Sequence, residues 1–149
     1  MTTPLRLPFL AASLLLALPA ATAAEPTPAV PLNQDGTARI PAELLLDKIK
    51  ATPYAERAAL RAELAAAEER FGDRLQEWER LKNSLPEKER NAAEADFKQL
   101  VRDRENLRQK IDGVENAGKE TWESAKSDLH SVLQSAIRTY RKLSARFKS

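Results

Sequence analysis

After Pro86 the sequence contains no further proline, and an apolar residue returns at every third or fourth position for most of the remaining chain. At 100° per residue, Ala93, Phe97, Leu100, Leu107, Ile111, Val114, Trp122, Ala125, Leu129, Leu133, Ala136, Tyr140 and Phe147 fall within one arc of about 100°. Nothing in this pattern alternates with the period of a strand, so the stripe commits the chain to long amphipathic helices. Two series at a spacing of eleven run through it: Leu100, Ile111, Trp122, Leu133, and Val114, Ala125, Ala136, Phe147. Such a repeat describes a helix that is nearly straight.

A second stripe precedes Pro86. Leu60, Leu64, Ala67, Phe71, Trp78, Leu81 and Leu85 follow the three-and-four spacing of a helical seam, with Arg74 in one apolar slot. Thr52-Pro53 reads as the N-cap and first residue of that helix. Pro41 opens a shorter helix in IPAELLLDKIKA. Between the stripes, NSLPEKER holds a capping-box pattern at Ser84–Glu87, with Asn83 and Pro86 opposing straight continuation. The chain is therefore expected to reverse there, with Trp78 and Phe97 on facing seams.

The remaining ambiguity is DGVENAGKE. Gly113 and Gly118 each cost about 1 kcal/mol against alanine in a helix, yet the apolar phase passes through them unbroken. The phase favours one continuous helix; a third helix is the alternative. The expected fold is all-α, an antiparallel coiled-coil hairpin of long amphipathic helices, its C-terminal half either continuous with the second helix or a third helix.

The first residues have another character. MTTPLRLPFLAASLLLALPAATAAEP combines Arg6, an apolar run of about a dozen residues and small residues at Ala21 and Ala23. This predicts a cleavable signal peptide over 1–23. The run is shorter than the roughly 20 residues of a membrane-spanning helix. A proline-rich leader over 24–40 and a helical domain over 41–149 follow. The address expected is periplasmic or secreted.

Composition narrows the chemistry. The chain has no cysteine, which excludes disulfides, thiolate catalysis and cysteine-based zinc sites. Lys and Arg total 24 against 22 Asp and Glu, too balanced for a general polyanion binder, and export argues against nucleic acid. His130 is the one histidine; SDLHS holds the residue types of a hydrolase triad, but on a helix they fan apart. No phosphate-cradling glycine loop and no convergent metal ligands are visible. We expect no enzyme activity and no cofactor or metal.

LQEWERLKN, ADFKQLVRDRENLRQKI, NAGKETWESAK and the basic end RKLSARF together resemble a group of uncharacterised bacterial coiled-coil proteins often labelled as stress-response proteins. The resemblance covers roughly residues 56–148 and implies long helices without known chemistry.

The C-terminus offers the best candidate surface. In IRTYRKLSARFKS the cations Arg138, Arg141, Lys142, Arg146 and Lys148 lie against a face carrying Ile137, Tyr140, Leu143 and Phe147. Cations there complement the helix dipole, and five of them beside aromatics also describe a helix lying on anionic lipid. Two functions follow. One is a non-catalytic, self-associating or partner-binding coiled-coil protein of the cell envelope. The other is a peripheral membrane-binding protein that uses Tyr140, Phe147 and the five cations.

Overall fold

The computed structural model describes residues 39–147. The segment 1–23 read as a signal peptide, the expected leader up to residue 38, and Lys148 lie outside the described residues. Four helices follow in order: α1 (Pro41–Ala51), α2 (Arg57–Leu81), α3 (Glu87–Asn116) and α4 (Trp122–Arg146). The described residues contain no strand. The fold is all-α, and the chain reverses where NSLPEKER stands. α2, α3 and α4 run up, down and up as a three-helix bundle, with α1 laid against α2 and α4.

The core is built from the stripes. Ala93, Phe97, Leu100, Leu107, Ile111 and Val114 of α3 are all buried, as are Trp122, Leu129, Leu133 and Ala136 of α4. On α2 the buried series is Leu60, Leu64, Ala67, Phe71, Leu75 and Trp78. That is a period of 3.6, the pitch of a straight helix, where the heptad reading expected 3.5. The drift explains two corrections. Leu75, one step beyond the Arg74 slot, goes inside, and Leu81 is left 45% exposed.

The continuous reading of 87–148 is also corrected: α4 is a third long helix antiparallel to α3. Gly113 stays within α3; the helix ends at Asn116, and Ala117 and Gly118 are extended. Gly118 has φ −77°, so its glycine freedom is not what breaks the helix. A single helix over 87–146 would be about 90 Å long with half its stripe in water. Folding back buries both halves against each other. The phase survives because each stripe separately obeys the 3.6 period.

Two caps differ from expectation. Thr52 ends α1, its hydroxyl donating to the Lys48 carbonyl at 2.7 Å, and α2 begins only after a tight turn at Tyr54–Glu56. Ser84 donates back to the Leu81 carbonyl at 2.6 Å, and Pro86 precedes α3 without a side-chain cap. Serine and threonine hydroxyls satisfy a carbonyl behind them as readily as an amide ahead.

Long-range polar contacts set the relative height of the helices. Trp122 Nε1 donates to the Thr52 carbonyl at 3.1 Å, and Lys126 Nζ to the Lys50 carbonyl at 3.2 Å, fixing the end of α1 on α4. Glu68 of α2, 6% exposed, accepts from Arg104 at 2.6 Å and Arg108 at 3.0 Å of α3. Asp103 of α3, 4% exposed, has hydroxyl and amide partners: Thr139 at 2.8 Å, Ser135 at 3.1 Å and Gln99 at 3.0 Å.

Candidate functional site

The C-terminal segment is where the sequence located its candidate surface, and most of its groups turn inward. Tyr140 stands between Phe71 and Trp78 of α2, with ring centroids 5.3 and 5.1 Å away. Phe147, at the end of α4, stacks on Trp78 at 5.6 Å and meets Phe97 of α3 edge-on at 6.1 Å. Trp78 and Phe97, expected on facing seams, thus meet through a ring from α4. These aromatics close the upper end of the bundle.

The cations divide into two kinds. Arg141 makes a bidentate pair with Glu43 of α1, at 2.7 and 2.8 Å. Arg146 reaches Glu89 at 2.7 Å and Asp96 at 3.1 Å, both on α3. These two carboxylates outweigh burial and hold the Arg146 guanidinium above its ordinary pKa. Arg138 and Lys142 are exposed one turn apart on the outer face of α4. Of the seven candidate residues, the described fold brings Tyr140, Phe147, Arg141 and Arg146 into helix packing and leaves Arg138 and Lys142 facing solvent.

SDLHS does not form a catalytic cluster. Asp128 pairs with Lys110 at 2.6 Å, and Ser131 donates to the Ser127 carbonyl at 3.0 Å. His130 sits half-buried in a shallow hollow with Lys50 and Lys126. Burial, and then the Lys50 charge, push its imidazole pKa below the ordinary value, against an opposing pull from Asp47. Among the described residues no three potential ligands converge to hold a metal ion. No described helix is long and apolar enough to cross a membrane.

One surface went unnoticed in the sequence. Between α2 and α3, on the side away from α4, runs an open groove of about 730 Å³. Leu75, Phe97 and Val101 supply its apolar lining, and Glu79, Glu94 and Lys98 belong to its charged sides. Val101 is 56% exposed, the most exposed of the large apolar side chains described. Its signal was an apolar residue off the main stripe, which sequence reading passes over because single exposed valines are common. Gly72 lies in the same groove, where the Arg104 guanidinium crosses its backbone.

No family model, curated protein or solved structure matches this chain.

Proposed function

We propose that this chain is a non-catalytic structural and interaction protein of the cell envelope, a helical bundle that presents its outer faces to a protein partner or to a second copy. The supporting observation is the use of the tail: its aromatics and two of its arginines hold the bundle together, while the α2–α3 groove stays open. The buried charged groups Glu43, Glu68, Asp103 and Lys126 are engaged between helices and do not converge on a reacting centre. The envelope address rests on the signal-like pattern of residues 1–23. An association with stress rests on the family resemblance alone.

Exposed Arg138 and Lys142 favour a second reading, in which α4 rests on anionic lipid. Each cation near such a surface contributes about 1 kcal/mol. Two of them, with Tyr140 and Phe147 engaged in the core, make a weak anchor. The interaction reading is therefore the better supported.

The test uses the mature chain, immobilised and exposed to an extract of its own cell envelope, beside sedimentation of the free protein. Specific retention of a partner, competed by free protein, or reversible self-association is expected. A monomer that retains nothing overturns the proposal. Sedimentation with anionic vesicles at low salt, in the absence of protein partners, favours the lipid reading.

A further inference from the structure

The outer face of α3 carries a charge order that matches itself in reverse. Glu94, Lys98, Val101, Glu105 and Arg108 follow a four-three spacing and occupy an arc of about 80° at 100° per residue. Glu94 is 45% exposed, and Lys98, Val101, Glu105 and Arg108 are each more than half exposed. Read from N to C the order is acid, base, valine, acid, base. Two such helices laid antiparallel, with Val101 at the crossing, bring Glu94 opposite Arg108 and set Lys98 beside Glu105, one residue, or about 1.5 Å, from exact register. Each pairing occurs twice by symmetry, and Asn91 meets Asp112 beyond it without like-charge repulsion. A parallel arrangement would bring like charges together.

We propose that a second copy of this chain docks on the α2–α3 groove, α3 against α3 in antiparallel orientation, with a two-fold axis near Val101. This rests on the interaction reading above and names its partner. A symmetric dimer uses the same patch on both chains, so the patch must complement itself, which this charge order does. The groove supplies the apolar part: Val101 of each chain is covered, beside Leu75 and Phe97 of the other. Within one chain the charges already have neighbours, Lys82 and Lys98 for Glu94, and Glu68 and Glu105 for Arg108. The intermolecular pairs extend these networks. Exposed ion pairs contribute little each, so the association is weak, salt-sensitive and selective in orientation.

The test is a charge exchange read by sedimentation equilibrium at low salt, with helicity checked by circular dichroism. Wild type should dimerise reversibly and dissociate at high salt. Lys98→Glu puts two carboxylates opposite each other at two places in the dimer, as Glu105→Lys does with two ammonium groups. Each variant alone should dimerise about tenfold more weakly. An equimolar mixture of the two should recover wild-type association, because in the mixed dimer a carboxylate again faces an ammonium group at both places. Failure of the mixture to recover, or dimerisation indifferent to either change, overturns this interface. Wild type that stays monomeric overturns the second copy as occupant, while the broader interaction reading still stands or falls on the envelope extract.

Discussion

The indole of Trp78 and the ring of Phe147 lie parallel, their planes 5° apart and their centroids 5.6 Å apart. One belongs to the last turn of α2 and the other caps α4, so this stack joins helices separated by the whole of α3. Phe147→Ala removes it together with the edge contact to Phe97 and should cost about 2–3 kcal/mol. Urea unfolding measures the loss. In a Trp122→Phe background, which leaves Trp78 as the sole indole, the native fluorescence should change as well. Unaltered stability and emission would show that the Phe147 ring contributes nothing to the bundle.

The tail cations should separate into two classes on mutation. Arg141→Gln deprives Glu43 of its bidentate partner and should destabilise the fold by about 2 kcal/mol. Lys142→Gln, one residue further on, should stay within about 0.5 kcal/mol of wild type. Equal effects of the two, measured by thermal or urea unfolding, would contradict the inward use of Arg141.

The Asp103 cluster makes a prediction about coupling. Thr139→Val removes the 2.8 Å hydrogen bond to a buried carboxylate and should cost about 1–3 kcal/mol. In an Asp103→Leu background the same change should cost much less, because the threonine hydroxyl has lost that carboxylate. A double-mutant cycle reads the difference directly.

Two glycines inside helices should respond differently to alanine. A methyl at Gly113 meets nothing within 4 Å, so Gly113→Ala should stabilise by roughly 0.5–1 kcal/mol through helix propensity. At Gly72 the new carbon would stand 2.5 Å from Arg104 Nη2 and must displace the guanidinium that pairs with buried Glu68. Gly72→Ala should therefore gain less than Gly113→Ala, or lose stability. Equal gains would mean that Arg104 swings aside without cost.

Stability should also depend on pH through His130. Its folded pKa is lowered by burial first and by Lys50 second, so the fold favours the neutral imidazole. The unfolded chain takes up its proton at the higher value, near pH 6.5. The contribution is complete above that value and is lost as pH falls through the folded-state pKa. Urea midpoints at about pH 7.5 and about pH 5.5 should differ in that direction, and His130→Gln should reduce the difference.

What the sequence made legible was the apolar period. It identified every buried apolar residue of α3, and the reversal before Pro86. On α4 it identified four, with Ile137 and Leu143 added by the tail's own apolar face. It gave no sign of buried Asp103, Lys126 or Thr139. It misjudged Leu75 and Leu81, because a seam read at 3.5 residues drifts away from a straight helix at 3.6 within a few turns. The break after Asn116 was obscured for a related reason. Periodicity reports which side of a helix is apolar, but not which other helix covers it. The tail was misleading in kind: cations segregated from aromatics describe a lipid-facing helix and a bundle helix equally well. What separates them is the location of Glu43, Glu89 and Asp96, acids far away in sequence. The charge order on α3 was present as letters, but its meaning needs the groove beside it.

α1 has only eleven residues, fewer than an isolated helix needs to persist in water. Its buried side chains, Ala42, Leu45 and Ile49, and its anchors at Glu43 and Thr52 are held in large part by α4, with Arg141 and Trp122 supplying the polar contacts. The ribosome makes α1 well before α4. The earliest helix of the bundle therefore waits for α4 to emerge, and the growing polypeptide cannot close this core until that helix has been made.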